Sequence, residues 1–204
     1  MVIDATNKVS HHLGIIIFSA LFILIIGNLE NYSRAVGALP FILLFFVMII
    51  GPLMTIWPSL YQKLPGNFPY TWRAELGIWF VVWSIAHVLF VFHHRDWQVV
   101  DYLVGMSPWA LGAFIAILIA IPLALTSCKR AIEFLGVDSW KWLQNFTYVI
   151  FWLTAIHVLD RALLRPGFPS DDWLHWVYLI MFALVPILQA AGFVKTVKDN
   201  KKEE

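Results

Sequence analysis

The chain has 204 residues, 60% of them hydrophobic and only 13% charged, whereas a soluble domain carries roughly a quarter charged residues. The net charge of +1 argues against a nucleic-acid partner. The single cysteine, Cys128, excludes an intramolecular disulfide, a cysteine-held cluster and a cysteine zinc site.

Six apolar segments approach the ~20 residues needed to cross hydrocarbon. They run Leu13 to Gly27, Val36 to Trp57, Arg73 to Phe92, Pro108 to Ser127, Trp140 to Leu159 and Trp173 to Val194. The first is short and follows a lone Lys8, like a signal peptide. No small-x-small cleavage site follows it, so it is read as a retained helix. Pro52, Pro122 and Pro186 lie within apolar runs and predict kinks. Ser107 before Pro108 reads as an N-cap ahead of a first-turn proline. Asp138 and Ser139 before the fifth segment, and Ser170, Asp171 and Asp172 before the sixth, read as capping residues. Cys128 reads as a small residue at a helix end. No segment alternates with period two, which argues against a β-barrel. The expected fold is an all-α membrane protein, a bundle of six transmembrane helices forming one domain over 1–204. Eleven Trp and sixteen Phe suit its interfaces and lipid-facing surface.

Orientation follows from lysine and arginine. With the N-terminus in the cytoplasm, that side carries Lys8, Lys63, Arg73, Lys129, Arg130, Lys141, Lys195, Lys198, Lys201 and Lys202. The outer side carries Arg34, Arg95, Arg161 and Arg165. Ten against four places both termini in the cytoplasm, and the third and fifth spans then run parallel. His87 lies fourteen residues beyond Arg73, and His157 sixteen beyond Lys141. At ~1.5 Å per residue, both stand about 20 Å or more from the cytoplasmic edge. Ionisable side chains at such depth are costly and mark function by default. A lone membrane histidine often only hydrogen-bonds a neighbouring helix. Two at one level on separate helices form a pair able to hold a heme iron from both sides.

The stretch from Thr71 to Leu164 also resembles the ferric-reductase-like transmembrane domain. Within that group it is most similar to the heme-binding membrane subunit family of the periplasmic methionine sulfoxide reductase system, MsrQ or YedZ. The resemblance rests on Arg-Ala-Glu-Leu-Gly at 73–77 followed by His87, and on Pro-Leu-Ala-Leu-Thr-Ser at 122–127. It continues in Trp-Lys-Trp-Leu-Gln at 140–144, Tyr148 and His157. It implies a six-helix fold binding b-type heme, with His87 and His157 as ligands on the third and fifth helices. It also implies electron flow from a quinone pool or a cytoplasmic reductase to an extracytoplasmic redox protein, in the inner (plasma) membrane of a prokaryote. Gln144 departs from the pattern, because the family usually has histidine there. The facing level on the third helix is Arg73, and arginine stays protonated and cannot ligate iron. One outer-side heme b is therefore expected. A quinone and, by family analogy, FMN are further cofactors in view, and the missing inner ligand argues against flavin-fed electron flow.

Other residues have more than one reading. Arg161 and Arg165, one and two turns beyond His157, are either loop charges or partners for heme propionates. His94 repeats the face of His87 and is either a solvated interfacial residue, like His93, or a contact to a propionate. His175 opens the sixth helix as a backup ligand or a quinone hydrogen-bonding group. His11 and His12 are expected at the interface, Glu75 is expected to pair with Arg73, and Trp79, Trp83 and Trp152 are expected in packing. The tail from Lys195 reads as a solvated anchor for anionic lipid. The chain has no phosphate loop and no nucleophile with a base. It is expected to act as an electron-transfer subunit, working with the lipid membrane and other membrane subunits. The alternative is a structural or accessory subunit of a larger respiratory or photosynthetic complex, with heme structural or absent. A solute transporter is the weaker third class, because paired broken helices and buried acids are missing.

Overall fold

The structure is a computed structural model that describes residues 9–29, 31–59, 72–161 and 173–203. These residues are predominantly helical, with no strand among them. The helices are α1 (Val9–Leu29), α2 (Tyr32–Ile56), α3 (Arg73–His93), α4 (Val99–Val104) and α5 (Pro108–Leu125). They continue with α6 (Lys129–Leu135), α7 (Val137–Gln144), α8 (Phe146–Leu159) and α9 (Trp173–Glu203). Five of them, α1, α2, α3, α5 and α9, are long and apolar enough to cross a membrane.

The expected fifth span is divided. At Asn145 the chain tightens to i→i−3 bonding: the Asn145 amide bonds to the Trp142 carbonyl at 3.1 Å and the Tyr148 amide to the Asn145 carbonyl at 3.0 Å. The Thr147 hydroxyl donates to the Gln144 carbonyl at 2.7 Å, satisfying an acceptor at the break. The remaining α8 has 14 residues, about 21 Å of helix against a hydrocarbon core of roughly 30 Å. The expected Asp138 and Ser139 cap is also displaced. Gly136, at φ 76°, caps the helix, and Asp138 lies in its first turn. Ser107 does cap α5, its hydroxyl accepting from the Ala110 amide at 3.3 Å. The Ser170 to Asp172 cap lies outside the described residues. The basic tail continues α9 as helix, with Lys195 paired to Asp199 at 2.8 Å. Cys128 is exposed at the start of α6.

α2 is the central helix. Of its most apolar window 56% is buried, against 17–22% for the other four long helices, whose remaining surface suits lipid. It packs against α1, α3, α8 and α9, while α5 bridges α3 and α8. α3 and α8 thus stand diagonally across the bundle. The core runs along α2 through Leu39, Phe41, Leu43 and Leu44 and meets Phe151 and Ala155 of α8. Phe41 lies 6.0 Å from the Phe151 ring and 5.9 Å from that of Tyr178.

Pro52 explains how α9 is fixed to α2. A helix proline cannot donate to the carbonyl four residues earlier, which leaves the Met48 oxygen without its helical partner. Gln189 of α9 donates to that oxygen at 3.0 Å, and Tyr148 of α8 donates to the Gln189 side-chain oxygen at 3.1 Å. Gly192 adds close approach, since a Cβ there would lie 3.5 Å from the Pro52 backbone. Gln189→Leu is expected to cost roughly 1 kcal/mol of stability by orphaning the Met48 carbonyl. Tyr148→Phe should cost less, because that bond is exposed. Thermal unfolding in detergent checks this, and equal melting of Gln189→Leu and the wild type would refute it.

Candidate functional site

Between the diagonal helices lies a cavity of about 580 Å³, within the roughly 300–1,000 Å³ usual for cofactor and ligand sites. His87 enters it from α3, His157 from α8, His175 from the start of α9, and His94 from the end of α3. Arg161, just past α8, joins them, so five of the six residues singled out in the sequence border one space. Arg165 lies outside the described residues. Phe41, Phe80 and Phe114 give the cavity apolar walls.

His87 and His157 are alike in one respect. The Nδ1 atom of each is buried without a hydrogen-bond partner among the described residues. Burying an unpaired polar nitrogen is costly, so both nitrogens are candidates for contact with a ligand. The two rings and Arg161 border the same cavity.

Gly37 of α2 makes room for His87. A Cβ at that position would come within 3.1 Å of His87 Cε1 and 3.4 Å of Nδ1, so the imidazole lies flush on the α2 backbone. His175 is buried near Arg34. The His94 ring lies 4.2 Å from that of Phe90, and its Nδ1 is 3.0 Å from the Phe90 carbonyl. His93 is exposed and does not line the cavity.

Sequence reasoning missed three groups at this site. Arg34, from the first turn of α2, and Arg95, from the α3–α4 connection, both line the cavity with Arg161. These are the arginines of one charge face in the sequence, so the charge count held the signal. Gly37 had none, because only the docking of α3 on α2 gives it a role.

The opposite end of the bundle is built differently. Neither Arg73 nor Gln144 lines the cavity. The Gln144 amide donates to the Leu123 carbonyl at 3.4 Å, and a Cβ on Gly51 would lie 3.5 Å from the Arg73 guanidinium. Glu75 is buried at 2% exposure, and the contact described for it is His11 of α1, with 3.2 Å between Oε1 and Nδ1. The expected Arg73–Glu75 pairing fails because residues two apart on a helix point to different faces. His11 itself is buried between helices and stacks on Trp72, with ring centroids 4.9 Å apart. His12 accepts from the Trp79 indole at 3.0 Å. Trp152 packs edge-on to Phe182, with ring centroids 5.3 Å apart.

No protein-family model matches the chain, and no solved structure matches it. Curated relatives do. The chain is 27% identical over 139 residues to the protein-methionine-sulfoxide reductase heme-binding subunit MsrQ of Ralstonia nicotianae, covering 63% of this chain and 58% of that protein. It is 27% identical over 135 residues to MsrQ of Azospira oryzae, covering 64% and 54%. It is 30% identical over 102 residues to the magnetosome protein MamZ of Paramagnetospirillum magneticum, covering 48% of this chain and 16% of that protein. The chain thus spans a little over half the length of the MsrQ relatives and a small part of MamZ.

The Glu75–His11 contact yields a prediction about α1. Glu75→Ala should lower stability by roughly 2 kcal/mol, since His11 loses its partner in a buried setting. Glu75→Gln keeps an acceptor and should lose less than half of that. Melting of Glu75→Ala equal to that of the wild type would show that the contact does not hold α1 in place.

Proposed function

We propose that this chain is a membrane heme-binding electron-transfer subunit of the MsrQ/YedZ type within the ferric-reductase-like group. One b-type heme sits between His87 and His157. The observation that carries the reading is the pair of buried imidazoles on diagonal helices, each with an unpartnered Nδ1, facing one apolar-walled cavity. Among the described residues no three of His, Cys, Asp and Glu gather as a metal site. Two histidines alone suit an iron whose other ligands come from a macrocycle, as in bis-imidazole cytochromes. The likeness to MsrQ, whose name records heme binding, supports the same reading.

A bound heme supplies a one-electron redox couple. The chain holds it by imidazole ligation, keeps water from its faces with Phe41, Phe80 and Phe114, and sets its potential through burial and the nearby Arg161 charge. His94 and His175 border the space as secondary contacts. In this reading α7 and α8 together make the fifth of six crossings, both termini are cytoplasmic, and the cavity opens toward the outer side, where an extracytoplasmic redox partner accepts electrons. The donor is a quinol or a cytoplasmic reductase. The level of Arg73 and Gln144 carries no heme, and Gln144 instead ties α7 to α5. Arg161 is the propionate partner within the described residues, and Arg165 is a second candidate.

His87→Ala and His157→Ala should each abolish the Soret band of purified protein, while Gln144→Ala keeps it. Full heme in both histidine variants would sink the assignment. Gly37→Leu should also lose heme binding by pushing the His87 ring aside, whereas Gly77→Ala, with nothing within 4 Å of its Cβ, should retain it. Retention of the wild-type spectrum by Gly37→Leu would show that the ring does not need its place on α2.

A further inference from the structure

The connection from α3 to α4 turns through two successive non-glycine residues in the left-handed region, Asp96 at φ 50° and Trp97 at φ 58°. Each such residue costs on the order of 1 kcal/mol or more and persists only where its surroundings impose it. Backbone bonds tie the turn, with the Trp97 amide on the Phe92 carbonyl at 3.0 Å and the Asp96 amide on the His93 carbonyl at 3.2 Å. The turn sets Arg95, whose guanidinium carbon lies 4.8 Å above the Tyr102 ring of α4, a cation–π contact that holds the side chain in place.

Arg95 and Tyr102 border the large cavity and also a second one of about 210 Å³. Arg161, Met106 and Ala110 are shared as well, so the smaller space is an annex of the larger. Arg95 and Arg161, from separate elements, both border it, with Ser107 and one acid, Asp101, also on its wall. The large cavity has no Asp or Glu among its described lining residues, and Arg34 adds a third cation to it. A strained turn and an aromatic contact thus hold Arg95 beside a space that Arg161 also borders.

We propose that the annex binds a carboxylate, with Arg95 and Arg161 as its ligating groups and Tyr102 as the clamp on Arg95. The planar guanidinium fork matches a carboxylate in bidentate geometry. The carboxylate comes from one of two sources: a propionate of a heme in the large cavity, which rests on the heme-binding reading, or a small free carboxylate reaching the annex.

The test uses the full chain in detergent as wild type, Arg95→Gln and Arg95→Lys. The probes are iron protoporphyrin IX, its dimethyl ester and citrate. If propionate is the occupant, Arg95→Gln weakens protoporphyrin binding roughly tenfold or more and leaves ester binding unchanged. If a free carboxylate is the occupant, porphyrin binding is unchanged and citrate binding falls by a similar factor. Arg95→Lys keeps the charge, loses the fork, and should fall between the two. It carries the test if Arg95→Gln fails to fold. Unchanged binding of all three probes in the substituted protein overturns the annex. A wild type that binds neither porphyrin overturns the heme reading instead, and the annex then stands or falls on citrate alone.

Discussion

The structure depends on α2 being surrounded by other helices. A membrane helix buried around most of its circumference must let its neighbours approach closely, and small residues and prolines meet that need. Gly37 and Gly51 are fourteen residues apart on α2, and His87 and Arg73 are fourteen apart on α3. Gly37 lies against His87 and Gly51 lies near Arg73, so one antiparallel register fixes two levels of α3 at once. Pro52 fixes a third contact, because the carbonyl it frees is taken by Gln189 of α9. The position of His87 is therefore a consequence of the α2–α3 interface.

The two ends of this framework differ in a way that bears on function. At the His87 end, α3 and α8 stay apart across the bundle, and histidines and arginines border a large space. At the Arg73 end, several polar side chains contact a neighbouring helix. Gln144 reaches a carbonyl of α5, Glu75 reaches His11, and Trp79 reaches His12. Buried atoms without a partner among the described residues occur at both ends, Glu75 Oε2 at one and the Nδ1 atoms of His87 and His157 at the other, and of these the two imidazoles border the large cavity.

Much of this was legible in the sequence, for physical reasons. Hydrophobic length located the long helices, and proline and serine signals placed the start of α5. Helical rise from the flanking cations put His87 and His157 at one level, and both do border one cavity. What was not legible depends on how elements dock. Hydropathy does not tell a helix facing lipid from one facing protein, so the central place of α2 was hidden. Glu75 was assigned to Arg73 by adjacency, although helical geometry turns those side chains apart and His11 arrives from sixty-four residues away. The break at Asn145 falls within an unbroken apolar run and is visible only in the tightened bonding around it. Arg95 required a left-handed turn at Asp96 and Trp97, and of these two residue types Asp alone is enriched in that region.

The central claim is that a single level of this bundle holds one heme between two imidazoles. The most direct measurement is a pyridine hemochrome assay on protein purified in mild detergent, paired with electron paramagnetic resonance of the oxidised form. The account predicts about one b-type heme per chain with a low-spin, bis-imidazole signal. Well-folded protein without heme, or with two hemes per chain, would contradict it.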